Sequence, residues 1–114
     1  MSTISKHAYL IIAHNEFGLL QKLISILDDE RNDIFIHIDK KSTFHQEDFF
    51  ASKSKLTIVS KIRVQWGGVT QIETELLLFK LATQHSKYAY YHLISGVDLP
   101  LKSQDYIAQI SSFR

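Results

Sequence analysis

Ala8-Tyr9-Leu10-Ile11-Ile12-Ala13 breaks off sharply at His14-Asn15-Glu16, and the reading of this stretch decides the fold. The apolar run is too short for a core helix, and its abrupt polar ending fits a buried strand. Asn15 is placed to cap a following helix, whose Phe17, Leu20, Ile24 and Leu27 recur at 3–4 spacing on one face. Gly18 weakens that helix slightly, and Asp28-Asp29 with Asn32 mark its stop.

Working outward, Ile34-Phe35-Ile36-His37-Ile38 is a second strand that exits into the polar loop Asp39-Lys40-Lys41-Ser42. A short helix is expected from His45 to Ser52, and Leu56-Thr57-Ile58-Val59 reads as a third strand. Ile62, Val64 and Trp66 alternate with Arg63 and Gln65, the pattern of a further extended segment. Gly67-Gly68 ends it, and Thr70 with Glu73 has capping-box spacing. The helix that follows carries Ile72, Leu76 and Phe79, with Leu77, Leu78 and Leu81, as a broad apolar face. Tyr88 to Ser95 returns to strand chemistry, Gly96-Val97-Asp98-Leu99-Pro100 is its turn, and Gln104 to Phe113 reads as a last helix.

Strands alternating with helices predict an α/β fold: three layers, a largely parallel sheet flanked by helices, in a single domain over 1–114. Ligands of such sheets bind beyond the carboxyl ends of the strands. If the strands are parallel, three polar exits meet there: His14-Asn15-Glu16, Asp39-Lys40-Lys41-Ser42 and Ser95-Gly96-Val97-Asp98.

Composition narrows the function. The chain has 114 residues, 45% hydrophobic and 22% charged, and a net charge of +1, the balance of an ordinary globular domain. Such a balance leaves no electrostatic footprint for nucleic acid or an anionic membrane. With no cysteine, disulfides, thiolate zinc sites and a cysteine nucleophile are excluded. The opening residues lack a signal-peptide pattern and no apolar run approaches the roughly 20 residues of a membrane span. The expected setting is cytoplasmic.

His37-x-Asp39 offers two metal-type ligands on one strand face, with His14 as a conceivable third. No Asp-x-Asp accompanies them, so no metal is expected. Gly-x-Gly-x-x-Gly, the Walker pattern and Gly-x-Ser-x-Gly are absent. Gly67-Gly68 at a helix start either offers N–H groups to an anion or simply turns the chain. Trp66, the single tryptophan, is either core or a ligand platform.

Four segments together say more. His7-Ala8-Tyr9-Leu10-Ile11-Ile12-Ala13-His14-Asn15, Ile36-His37-Ile38-Asp39-Lys40-Lys41-Ser42, Val64-Gln65-Trp66-Gly67-Gly68 and His92-Leu93-Ile94-Ser95-Gly96-Val97-Asp98-Leu99-Pro100-Leu101-Lys102 resemble the successive motifs of the Core-2/I-branching N-acetylglucosaminyltransferases. That family also includes the peptide O-xylosyltransferases. The resemblance runs from His7 to the end of the chain. It implies a GT-A-like nucleotide-binding half, a UDP-sugar donor, a glycan acceptor and inverting transfer without a metal cofactor. By the same resemblance Ala13, His14 and Asn15 close on the nucleotide, Asp39 accepts the uracil N–H, and Trp66 with Gly67 lines the donor pocket. Ser95 and Asp98 would face the donor sugar. The family's catalytic Glu, acceptor pocket and diphosphate-holding basic residues lie in a second half, so the base is expected beyond Arg114. A non-catalytic nucleotide-binding module is the alternative, and an unrelated flavodoxin-like domain the third reading.

Overall fold

The computed structural model describes residues 6–14, 17–65 and 67–95. The Asn15 cap, Trp66, the turn from Gly96 to Pro100 and the helix expected from Gln104 to Phe113 lie outside the described residues. Within them run β1 (His7–Ala13), α1 (Phe17–Leu27), β2 (Asn32–Ile38), a 3-10 turn (Gln46–Asp48), β3 (Leu56–Val59), α2 (Val69–His85) and β4 (Tyr90–Ser95).

The four strands form one sheet in the order β3-β2-β1-β4, and every neighbouring pair is parallel. β1 is central, pairing Ala13 with Ile38 on one side and Ile12 with Ser95 on the other. Successive side chains of a strand face opposite ways, so β1 feeds two cores. Tyr9, Ile11 and Ala13 join Ile34, Ile36 and Ile38 beneath Leu20, Leu23, Ile24 and Leu27 of α1. Ala8, Leu10 and Ile12 join Phe35 and Val64 beneath Leu78 and Ala82 of α2. The result is the expected three-layer α/β arrangement. Its helices take opposite faces because the chain steps from β1 out to β3 and then crosses back to β4, and right-handed crossovers in opposite directions use opposite faces.

Local chemistry sets the element ends. The Asn32 amide donates to the Leu27 carbonyl at 2.8 Å, taking up a carbonyl that the end of α1 leaves open. The carboxylate of Asp28 receives the N–H groups of Ser52, Lys53 and Ser54 and fixes the approach to β3. At the start of β2, buried Asp33 accepts from the Tyr88 hydroxyl at 2.7 Å and the Lys55 N–H at 3.1 Å, with Lys6 at 3.3 Å. Burial alone would raise that carboxyl, but the Tyr88 and Lys55 hydrogen bonds and the Lys6 charge bring it below its ordinary value.

Four sequence expectations need correction. Only Gln46–Asp48 of the segment 45–52 is helical, because Phe50, Ser52, Lys53 and Ser54 spend their N–H groups on the side chains of Gln21 and Asp28. The alternating segment from Ile62 is not a strand of the sheet; its N–H groups go to side chains of β2 and the loop after it. The capping box does not form. Gly68 is the N-cap, Thr70 lies inside α2, and the Thr70 hydroxyl accepts the Gln65 N–H at 2.6 Å.

The fourth correction concerns the face α2 buries. Thr74, Leu78 and Ala82 point to the sheet, whereas Ile72 and Leu76 are exposed. Thr74 and Ala82 are small enough to bring the helix down onto Ala8 and Leu10, and the Thr74 hydroxyl is satisfied by the Thr70 carbonyl at 2.7 Å. Leu78→Ala should therefore cost about 2–5 kcal/mol, and Leu76→Ala at most about 0.5 kcal/mol. Urea denaturation of the two variants checks this; equal losses would return Leu76 to the core face.

Candidate functional site

Because all strands are parallel, β1, β2 and β4 deliver their exits to one edge, as the sequence requires for a site. β1 is also where the strand order reverses, with β2 on one side and β4 on the other. The crevice of an open parallel sheet forms at such a switch point.

The edge is built around Asp39. Its backbone N–H donates to the Ala13 carbonyl at 2.8 Å, and the Ser42 hydroxyl donates to the His14 carbonyl. Ala13, His14 and the loop from Asp39 to Ser42 are thereby fastened side by side. The Asp39 carboxylate is buried, and its Oδ1 accepts the N–H groups of Lys41 at 3.0 Å and Val64 at 3.1 Å. The Lys41 ammonium stands 3.5 Å from Oδ2 and donates to the Val64 carbonyl at 3.1 Å. Burial by itself would raise this carboxyl; the two N–H groups and the Lys41 charge outweigh it, and the net shift is downward. Asp39 is thus an anion at neutral pH.

His37, two residues earlier on the same strand face, completes the grip. Its Nε2 accepts the Lys61 N–H at 3.1 Å and the Ile62 N–H at 3.0 Å. An Nε2 that accepts carries no proton, so the neutral ring holds its proton on Nδ1, which has no hydrogen-bond partner among the described residues. Burial lowers the imidazole from its ordinary value, against a weaker upward pull from Asp39. The His37-x-Asp39 pair is therefore a backbone clamp on residues 61–64. Among the described residues there is no group of three His, Cys, Asp or Glu that could hold a metal ion.

Gly67 and Gly68 turn the chain from this clamped segment into α2. Gly68 N–H donates to the Gln65 carbonyl at 2.9 Å, and Gly67 has φ 81°, a conformation that side chains resist. The Gly67 N–H is held by the Gln71 side chain at 2.7 Å. Both glycine N–H groups are thus engaged, which favours the turn reading over an anion cradle. Among the described residues, a Cβ at Gly67 would meet nothing within 4 Å.

Of the sequence-derived site residues, the structure brings Ala13, His14 and Asp39 into direct contact, and Gly67 lies three residues beyond Val64. The backbone of Ser95 lies beside Ile12 on the other side of β1. Asn15, Trp66 and Asp98 lie outside the described residues. Lys41, Ser42 and Val64 stood in the quoted segments without individual roles, and the structure makes them builders of the site. Asp39 followed by a polar loop is the signature of a side chain bonding the backbone two residues on, and could have singled out Lys41. Nothing local could have paired Asp39 with Val64.

A cavity of about 340 Å³ lies at the opposite, amino edge, lined by His7, Tyr9, Ile26, Asp28, Asp29, Arg31 and Asn32. Its charges are already spent: Asp28 holds three backbone N–H groups and Asp29 is bonded to Arg31 at 3.0 Å. The carboxyl edge remains the candidate.

A parallel α/β sheet with its loops gathered at the switch point is consistent with a GT-A-like half. The chain belongs to the Core-2/I-branching enzyme family, which it matches over residues 7–114. It is a glycosyltransferase chain of that family, whose reaction transfers a sugar from a nucleotide-sugar donor to a glycan acceptor and releases the nucleotide. No curated protein matches it. No helix among the described residues is long and apolar enough to cross a membrane.

The clamp makes a prediction about pH. A buried imidazole with a lowered pKa stabilises the fold fully above its ordinary value of 6.5 and loses that contribution as pH falls below it, because the unfolded chain then binds the extra proton. His37→Leu removes the acceptor of two N–H groups and should cost about 1–3 kcal/mol at neutral pH. It should also shrink the loss of stability on going from about pH 7 to pH 5. His7, also lowered by burial, keeps its own contribution to that slope. Urea midpoints at the two pH values decide; an unchanged midpoint, or a slope equal to that of the wild type, removes the clamp.

Proposed function

We propose that the carboxyl edge binds the UDP part of a nucleotide-sugar donor, for inverting transfer of N-acetylglucosamine to a glycan acceptor without a metal ion. The observation that carries this reading is the Asp39 junction: an ionised carboxylate fixed between the exits of β1 and β2, beside the switch point. Its Oδ1 is committed to the fold. Among the described residues Oδ2 faces Lys41, at a distance longer than a good hydrogen bond. The Lys41 side chain is half exposed, so an arriving base can displace its ammonium and present an N–H to Oδ2. The ammonium released from Asp39 then stays at the edge, along with exposed Lys40, as a charge for the diphosphate.

In this reading Ala13, His14 and Asn15 close on the nucleotide, and Trp66 with Gly67 lines the donor pocket. Ser95 and Asp98 orient the donor sugar, which is positioning and not proton transfer. Asp39 is not assigned the base's role, because its carboxylate is held by two backbone N–H groups and the Lys41 ammonium. Metal independence rests on the sequence, where no Asp-x-Asp supplies paired hard carboxylates for a diphosphate-bound cation.

Asp39→Asn is a discriminating variant, because the Asn carbonyl can still accept from Lys41 and Val64 while Oδ2 becomes an amino group. A charge-assisted hydrogen bond is worth roughly 1.5–3 kcal/mol, so UDP affinity should fall about 10- to 100-fold with the melting temperature little changed. Calorimetry with UDP in the presence of chelator measures both this and the metal claim. Unchanged affinity in the variant would leave Asp39 a structural tie alone. Binding that needs magnesium or manganese would end the metal-independent reading.

A further inference from the structure

Residues 61–64 belong to no strand or helix, yet they are held in place. His37 takes the N–H groups of Lys61 and Ile62, and Asp39 takes that of Val64. The loop after β2 fastens the same segment again, with the Lys40 N–H on the Ile62 carbonyl at 3.0 Å and the Lys41 ammonium on the Val64 carbonyl at 3.1 Å. Ile62 and Val64 pack into the core beneath α2. Alternate residues of an extended chain face opposite ways, so Lys61 and Arg63 point outward, and both are exposed. Their Cα atoms are about 7 Å apart along such a chain.

The clamp is thus a fixed mount for two cations. Lys40, also exposed and tied to Ile62 between them, adds a third. No ion pair among the described residues involves Lys40, Lys61 or Arg63. Residues 39–42 and 61–65 together carry four cations and the single carboxylate of Asp39. That is a net charge of +3 on this rim, where the whole chain has +1. Like charges held together repel, and here the fold supplies no internal partner that offsets the repulsion.

We propose that Lys61 and Arg63 hold the acid groups of the acceptor, and that the acceptor is an anionic glycan bearing carboxylate or sulfate groups. The family's reaction brings two substrates together, a nucleotide-sugar donor and a glycan. In the donor site proposed above, on which this step rests, Lys40 and Lys41 serve the diphosphate, and Lys61 with Arg63 remains for the second substrate. The planar fork of an arginine grips two oxygens of one acid group, and the lysine beside it adds a point charge. Nucleic acid fits less well. Binders of single strands interleave aromatic rings with their cations as stacking platforms, and residues 39–42 and 61–65 include no aromatic side chain.

Calorimetry on the chain tests this with a short hexuronate oligosaccharide, a sulfated oligosaccharide, the carboxyl-reduced neutral form of the first, an oligonucleotide, and UDP. At least one acidic oligosaccharide should bind, more weakly as salt is raised, and the neutral form at least about tenfold less tightly. Which acidic form binds identifies the acid group. Lys61→Ala with Arg63→Ala should weaken that binding at least about tenfold and keep UDP affinity within about twofold. Both residues are exposed, so the melting temperature should not move. Lys22→Ala with Lys80→Ala removes two exposed cations from α1 and α2 and is the charge-matched control, which should keep full binding. Equal loss in the control, equal binding of the neutral form, or no binding of either acidic oligosaccharide would overturn the proposal. Tighter binding of the oligonucleotide would assign the rim to nucleic acid instead, and loss of UDP affinity in the Lys61/Arg63 variant would assign the pair to the diphosphate. A chain that binds the acidic oligosaccharide but not UDP would end the donor reading of the edge and leave the anion site standing.

Discussion

β1 is enclosed on both faces and both edges, and this constraint organises the described structure. A strand with a neighbour on each side and a helix layer above and below can carry no exposed polar side chain along its interior. From Ala8 to Ala13 it carries none. Its odd and even residues must each find a partner layer, which forces α1 and α2 to opposite faces. Parallel neighbours in turn need helical crossovers and send every exit to the same end. The site is a consequence of that enclosure, because parallel connectivity gathers the polar loops after β1 and β2 at one edge.

Two buried carboxylates close the two ends of β2 in the same chemical way. Asp33 at the start and Asp39 just past the finish each trade burial for backbone N–H donors and a lysine. In both cases the ionised form is favoured despite burial, because hydrogen bonds and charge outweigh desolvation. They differ in what remains. Asp33 has both oxygens engaged, with the Tyr88 hydroxyl and the Lys55 N–H as its nearest donors, and is a structural tie. Asp39 has one oxygen whose neighbour among the described residues is the half-exposed Lys41 ammonium, 3.5 Å away. That difference separates the carboxyl edge from the amino edge, where the carboxylates of Asp28 and Asp29 are held by backbone N–H groups and Arg31.

The sequence showed the elements whose chemistry is local. The six-residue apolar run of β1, the isoleucine-rich β2 and the short β3 were legible because strand burial needs apolar residues wherever they pack. The stop of α1 was legible as well, since Asn32 reaches only five residues back to the Leu27 carbonyl. The face buried by α2 was not legible. Leucine, isoleucine and phenylalanine fall all around that helix, so hydrophobicity leaves its rotation open. The sheet chose the side with Thr74 and Ala82, where small residues permit close approach.

The site divides along the same line. The order of strands and helices by itself determined that polar exits would gather at one edge, because parallel connectivity leaves no other place for them. The motifs around Ala13, His14 and Asp39 belong to that part of the result. Only the tertiary structure decided that His37 and Asp39 grip residues 61–64, that Gly67 and Gly68 use their N–H groups to turn the chain, and that Leu76 faces outward. Each of these depends on which group lies opposite in space, 25 residues away in the case of Asp39 and Val64. A hydrogen bond is fixed by distance and direction, and a sequence carries neither for residues so far apart along the chain.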